Sequence, residues 1–401
     1  MKIISKVTVW LLILGLSACS IQGMGNQRET GDHNIEPPNN NPMPKWPEDP
    51  LPPLPDTQEE GQSEMGNEPA DESMPPAEKH EPAKLVDYEG PVEHIFFHPL
   101  IVYPELAFDG DAMAQGYNDY FVTVNEFKRI LDELYKHNYI LIDINQLFQI
   151  NQDQSMTLQK LKLPEGKKPL ILSIDDMNYY EYMRQNGNVY KLILDENGNI
   201  ASYAKSPKGK DVISYDHAIV PILDQFVQDH PDFSNNGAKG LIALTGYEGV
   251  LGYRTNEFDS PAYNQEKAEA LKVIKRLKET GWTFASHGWG HLDANKVSYQ
   301  LLAQDTERWK QEVESLIGPT NVYIYPYGSR PDTGGDKFNY LIESGFNVLC
   351  SVGPVPYLKS YETQAFMMDR RHIDGIALQT QPEKLRPLMD AEKVLEAEVR
   401  P

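Results

Sequence analysis

From residue 85 onward, apolar residues follow two different spacings. Short contiguous runs at 169–174, 240–244, 283–285, 322–325 and 346–350 have the length and continuity of strands buried on both faces. Between them lie stretches whose apolar positions recur every three or four residues, the period of a helix with one face inward. One such helix is predicted from Asn125 as N-cap, with Phe127, Ile130, Leu131 and Leu134 inward, followed by a strand over 139–144. A second is predicted over 264–278, with Leu271, Ile274 and Leu277 inward and Gly281 just past its end. A third covers 298–317 and stops at Gly318, and a fourth covers 337–343 before Gly345. Alternating segments at 189–194 and 200–203 flank a Gly-containing turn and read as a β-hairpin, within an insertion spanning about 178–238. Strand and helix in alternation predict an α/β sheet or barrel, not a sandwich. The polar residues able to do chemistry stand directly after the apolar runs, where the strand ends of a parallel barrel form its rim.

The first 84 residues have a different pattern. Lys2 and Lys6 precede an apolar run over 7–16, too short for the roughly 20 residues that span a bilayer, so residues 1–19 read as an export signal. Its end, Leu16-Ser17-Ala18-Cys19, resembles a bacterial lipobox, which implies that Cys19 carries a lipid and anchors the protein to the outer face of the cell membrane. Residues 20–84 hold 13 of the 30 prolines and 14 acidic against 4 basic residues. Such a segment has too little apolar surface to offset the entropy of ordering, and it reads as a disordered tether to a domain over 85–395. The whole chain carries a formal charge of −22, which argues against nucleic acid as a partner. With only 2 cysteines, any metal has to be held by imidazole and carboxylate.

Three segments are candidates for such chemistry. Asp175 and Asp176 close the first run; one could bind a cation while its neighbour works as a base, or the pair could cap a helix. His287 and His291 follow the third run at the i, i+4 spacing that lets two imidazoles on one helical turn reach one metal ion. Tyr325-Pro326-Tyr327-Gly328 follows the fourth, and in isolation reads as a turn.

Taken in this order, the segments resemble the polysaccharide deacetylase (NodB-like) family of carbohydrate esterases. Ser173-Ile174-Asp175-Asp176 matches the family's Thr-Phe-Asp-Asp, His287 to His291 its His-(Ser/Thr)-x-x-His, and Pro326-Tyr327-Gly328 its Pro-(Tyr/Phe)-Gly; Phe97-His98-Pro99-Leu100 looks like its N-terminal segment. The resemblance implies a distorted (β/α) barrel that hydrolyses N-acetyl groups of a cell-wall or surface polysaccharide, such as peptidoglycan, a chitin-like polymer or poly-N-acetylglucosamine. It further implies that Asp176, His287 and His291 hold a divalent metal, zinc or else Co2+, Ni2+ or Fe2+, with Asp175 as general base. Pro326 and Tyr327 would meet the substrate, the backbone N–H of Tyr327 holding the oxyanion; as aromatic residues near the rim, Trp289 and Tyr327 either stack on a sugar ring or pack the rim loops.

The chain also departs from the family. Ile324 stands where an Arg usually orients the base, with Arg330, Arg370 and Arg371 as possible substitutes. Leu378 is followed by Gln379 and Thr380 instead of the Leu-x-His that supplies the acid, which leaves His372 as the nearest replacement. The Asp of the family's fourth motif is not recognisable near Ser351, and Gly288 replaces the Ser or Thr between the metal histidines, a change expected to loosen their support. These departures keep two alternatives open: a catalytically impaired surface protein that binds metal and glycan, and a hydrolase of small amides.

Overall fold

A computed structural model describes residues 84–153 and 155–401. The signal segment, Cys19 and the proline-rich stretch up to residue 83 lie outside the described residues.

Seven strands form the centre: β1 (Glu93–Phe97), β2 (Lys168–Asp175), β3 (Leu241–Leu244), β4 (Thr283–Ser286), β5 (Val322–Ile324), β6 (Val348–Val352) and β7 (Ala365–His372). Each is parallel to the next, and β7 returns to β1, so the sheet closes into a barrel in chain order. Closure is uneven. The β4–β5 seam is one residue pair, Ser286 with Tyr323, and the β7–β1 seam is two, Arg371 with Ile95 and His372 with Phe96. The first half of β7 instead takes an antiparallel neighbour, Tyr357–Tyr361, and the first half of β2 is flanked by Tyr139–Leu141. This is the expected distorted (β/α) barrel.

Alternation along each strand sorts the core into two layers. Ile171, Ala243, Ala285, Ile324, Cys350 and Met368 belong to an inner apolar cluster, while Leu172, Ile242, Phe284, Tyr323 and Leu349 pack outward with helical residues such as Phe127 and Ile274. Toward the strand ends the inward column turns polar: Ile171 gives way to Ser173 and Asp175 on β2, and Met368 to Arg370 on β7. The lower barrel is thus a greasy plug and the upper barrel a polar cup.

The flanking helices are α1 (Val124–Lys136), α2 (Ile219–Asp229), α3 (Tyr263–Glu279), α4 (Tyr299–Trp309) and α5 (Asp336–Glu343). Several expectations shift in detail. The N-cap of α1 is Thr123, not Asn125, because Thr123 and Glu126 form a reciprocal capping box. Leu271 is on the solvent side of α3, at 40% exposure; Ala270, Val273, Ile274 and Leu277 face inward. The run over 139–144 is a strand only to Leu141, since the Asp143 side chain accepts from Asn145 N–H and starts a 3-10 turn. The helix expected over 298–317 is capped by Ser298 but passes through a π turn at Lys310–Glu314 before ending at Gly318. The hairpin forms as expected from Lys191–Leu194 and Ile200–Lys205, and a third antiparallel strand, Asp211–Ser214, extends it.

Candidate metal centre and active site

Asp175 is the last residue of β2, and Asp176 follows it in the left-handed region at φ 56°. Such a conformation is unfavourable for a non-glycine residue and is held here by its surroundings. It turns the second carboxylate back toward the rim instead of letting it diverge from the first as in a continuing strand. The hydroxyl of Tyr180 donates to Asp176 Oδ1 at 2.8 Å, leaving Oδ2 to face the histidines. Tyr180 is fixed in turn by Thr245 Oγ1 at 2.5 Å and by a stacked Tyr247 ring at 4.5 Å.

The two histidines reach the same place by a route other than the expected helical turn. Residues 287–292 form a loop, with Gly288 at φ 67° and His291 at φ 53°. Asp176, His287 and His291 each offer a ligand atom, and these atoms lie within 4.8 Å of one another. His291 Nε2 is 3.7 Å from Asp176 Oδ2. His287 Nδ1 is 2.8 Å from the carbonyl of Ile324; bonded as a donor there, it leaves Nε2 as the lone-pair nitrogen. Burial pushes the His291 imidazole down to about 4, against the pull of Asp176, which leaves it neutral and able to ligate at neutral pH. Two imidazoles and one carboxylate oxygen in this arrangement suit zinc and also cobalt, nickel or iron.

The loop is not loosened by Gly288. A Cβ there would stand 2.9 Å from Asp305 Oδ2 and 3.3 Å from the Tyr323 hydroxyl, so glycine is needed both for space and for its positive φ. Asp305 fills that space and accepts from the N–H groups of Trp289 and Gly290, both at 2.7 Å. Burial raises its pKa to about 6. Removing this brace by Asp305→Ala is expected to weaken metal affinity about 10–100-fold, measured by competition with a chelating dye.

Asp175 is engaged by Arg370, a residue from the opposite end of the chain. Nη1 donates to Oδ1 at 2.6 Å and Nη2 to Oδ2 at 2.9 Å, with the guanidinium 1% exposed and 4.2 Å above the Phe96 ring. Burial works to raise the Asp175 pKa, but Arg370, with His287 beside it, holds it well below the ordinary carboxylate value. Of the three candidate arginines, Arg370 therefore stands opposite Asp175. Ile324 remains apolar inside the barrel and contributes only its carbonyl, to His287.

Tyr327 is in the left-handed region at φ 59°, is 61% exposed, and sets its ring edge-on to His291 at 4.6 Å. Pro326 is buried beneath it. Trp289 differs from expectation. Its indole Nε1 donates to Glu312 at 2.7 Å, the Arg308 guanidinium lies 3.4 Å from the ring centroid, and its pyrrole edge closes on Gly246. These neighbours commit the ring to bracing the histidine loop, which corrects the expected sugar contact.

His372 is likewise placed differently. Its Nδ1 pairs with Asp374 at 3.1 Å, and Asp374 caps the short helix Gly375–Thr380; no polar contact among the described residues ties it to Asp175 or Asp176. Burial lowers its pKa, but the Asp374 bond outweighs this and the net shift is upward. With its folded pKa above the unfolded one, the pair stabilises fully below about pH 6.5 and fades as pH rises through the raised value. His372→Ala should therefore depress the melting temperature more at pH 5.5 than at pH 8.5.

The histidine that does face Asp176 is His98, which stands in a segment that matches the family but has no role in the sequence reading. Its Nε2 lies 4.0 Å from Asp176 Oδ2, and its Nδ1 is 3.1 Å from the carbonyl of Tyr120. One signal was available: His98 follows β1 just as the other site residues follow their strands.

Residues 259–341 match the family model described as polysaccharide deacetylase, a segment that includes His287, His291, Pro326 and Tyr327. No curated protein matches the chain. Among solved structures it is similar to the Streptococcus pyogenes deacetylase PplD in complex with acetate, at 12% identity and a TM-score of 0.42 over 76% of this chain and 99% of that one. It is also similar to a polysaccharide deacetylase from Mycobacterium smegmatis, described as putative, at 15% identity and a TM-score of 0.26 over 38% and 44% of the two chains. A third is the BpsB deacetylase domain from Bordetella bronchiseptica, at 11% identity and a TM-score of 0.30 over 53% and 73%.

Proposed function

We propose that this protein belongs as a whole to the polysaccharide deacetylases and hydrolyses N-acetyl groups of a cell-wall or surface glycan, releasing acetate. The observation that carries this reading is the convergence of Asp176, His287 and His291 beside an Asp175 locked by Arg370. A divalent cation, zinc foremost, held by those three side chains would supply the Lewis acidity that activates water at neutral pH and polarises the amide carbonyl.

The chain's own groups account for the remaining steps. Asp175, ionised and fixed in orientation, takes a proton from the attacking water. The Tyr327 N–H, on the rim beside His291, donates to the carbonyl oxygen as it gains charge. His98, acting as an imidazolium with its Nδ1–H donated to the carbonyl of Tyr120, gives its Nε2 proton to the departing amine and is reprotonated as Asp175 gives up the proton taken from water; it takes the acid's role in place of His372. The exposed Tyr327 ring offers a face to a sugar.

On this reading Cys19 carries the lipid, and residues 20–84 let the domain reach glycan outside the cell membrane. The missing Leu-x-His motif favours a second reading, a surface protein that binds metal and glycan without turnover. Metal content and acetate release decide between them. The purified protein should hold one divalent metal and release acetate from chitooligosaccharides or peptidoglycan; metal without acetate from any N-acetylated glycan would favour the second reading.

A further inference from the structure

We infer that Arg400 is a positioning residue for His98, acting through the segment 118–121. The inference rests on the reading of His98 as the acid. Among the described residues His98 makes one hydrogen bond, from Nδ1 to the carbonyl of Tyr120, beside ring contacts with Phe96 and Phe121, so the aim of Nε2 depends on where that carbonyl is placed. Tyr120 ends a short helix, Ala114–Tyr120, and its own side chain is half exposed, so the support must come from its neighbours.

Arg400 supplies it. Its Nη1 donates to the carbonyl of Asn118 at 3.0 Å and to Asn118 Oδ1 at 3.1 Å, and its Nη2 donates to the carbonyl of Phe121 at 2.9 Å. The acceptors lie on both sides of Tyr120 in sequence, and one rigid planar group therefore spans the residue whose carbonyl holds His98. The guanidinium is anchored in turn by Glu126, from Nε at 2.8 Å and Nη2 at 2.6 Å; this carboxylate also closes the capping box of α1. Both partners are buried, at 2% and 0% side-chain exposure, so the clamp is shielded from water. The helix Gly375–Thr380 closes the other side. A Cβ on Gly375 would stand 1.8 Å from the Asn118 carbonyl and 2.7 Å from Arg400 Nη1, and Gln379 Nε2 adds a bond to Asn118 Oδ1 at 3.2 Å.

A group that aims a general acid has a signature that general structural support lacks. Breaking an amide C–N bond sends the electron pair to nitrogen, which must receive a proton to leave. Breaking the aryl ester bond of 4-nitrophenyl acetate releases a stabilised phenolate that needs none. Both reactions use the same water attack and the same base.

The test compares chitopentaose with 4-nitrophenyl acetate, using the full chain with metal and counting ester hydrolysis above the Asp175→Asn background. Arg400→Met should lower kcat on chitopentaose at least about tenfold, a fraction of the 10²–10⁴ a general acid contributes, and change ester turnover less than about twofold. Arg400→Lys keeps a cation against Glu126 but cannot bridge both carbonyls. It should show the same selective loss with a melting temperature near the parent's, which keeps the test decisive if Arg400→Met folds poorly. Equal loss on both substrates, or no loss on either, overturns the inference. His98→Ala is run beside them. If it spares chitopentaose, the reading of His98 as acid fails, and the inference fails with it. If it is selectively impaired while the Arg400 variants are not, the inference alone fails.

Discussion

Asp175→Asn is expected to retain one divalent metal per chain and to release acetate from chitooligosaccharides about 10²–10⁴-fold more slowly than the parent. The separation of effects follows from where the two adjacent carboxylates point. Asp176 is joined to Tyr180 and faces His291 and His98, whereas Asp175 sits in the fork of Arg370, 3.9 Å from His287 Nε2. The amide keeps the side chain's size and can still accept one bond from Arg370, but it has no basic oxygen for the proton of water. Metal analysis on the purified variant, with acetate measured enzymatically on the same sample, checks both halves. Loss of metal together with activity would place Asp175 among the ligands instead.

Much of this was legible in the sequence, for a physical reason. The strands of a closed parallel barrel are buried on both faces, so they show up as contiguous apolar runs, and the residues after them are at the rim whatever the details of closure. That logic located Asp175, Asp176, His287, His291 and Tyr327. It did not count β1 and β7 among the apolar runs, because polar residues interrupt them: His94 within β1, and Asp369, Arg370 and Arg371 in the second half of β7, which read only as a strand-like segment. A polar cup inside a barrel erases the hydrophobic signal of the strands that build it. The same effect left three arginines open as the partner of Asp175, since Arg370 is 195 residues away and sits beside a second, differently engaged arginine. Arg371 points the other way, to Glu93 and the carbonyl of Lys384, as alternation along a strand requires.

Conformation was less legible than composition. Asp176, His291 and Tyr327 all have positive φ, although none is a glycine. Spacing arguments assume regular backbone, and i, i+4 histidines suggested a helical turn. The observed loop brings the same two rings to 4.9 Å by left-handed residues held from behind by Asp305. Three strained residues around one cluster of ligand atoms mark where the surrounding structure maintains geometry that local propensity would not choose. Trp289 shows the converse. An aromatic residue between two ligands suggested substrate contact, but the strained loop needs packing behind it, and the indole provides that.

The largest effect on stability is expected at Arg370. Arg370→Met leaves the Asp175 carboxylate buried without its counterion, next to Ser173 and the apolar barrel plug. Removing one partner of a buried ion pair costs about 3–5 kcal/mol, which corresponds to a fall in melting temperature of roughly 4–8 °C for a domain of this size. The pH dependence has a definite sign. The folded pKa of Asp175 is depressed below its ordinary value of 3.8, so the pair's stabilisation is present above that value and is lost as pH falls below it. The variant's deficit should accordingly be full at pH 7 and shrink toward acid pH, where a protonated Asp175 no longer needs the guanidinium. Adding Asp175→Asn removes the orphaned charge, and the double variant should regain most of the lost stability at pH 7 while acetate release stays as slow as in Asp175→Asn alone. Thermal melts of the four proteins in the cycle at pH 3 and pH 7 measure the coupling and its pH dependence. A double variant no more stable than Arg370→Met would mean that the guanidinium acts through packing on Phe96 instead of through the carboxylate it grips.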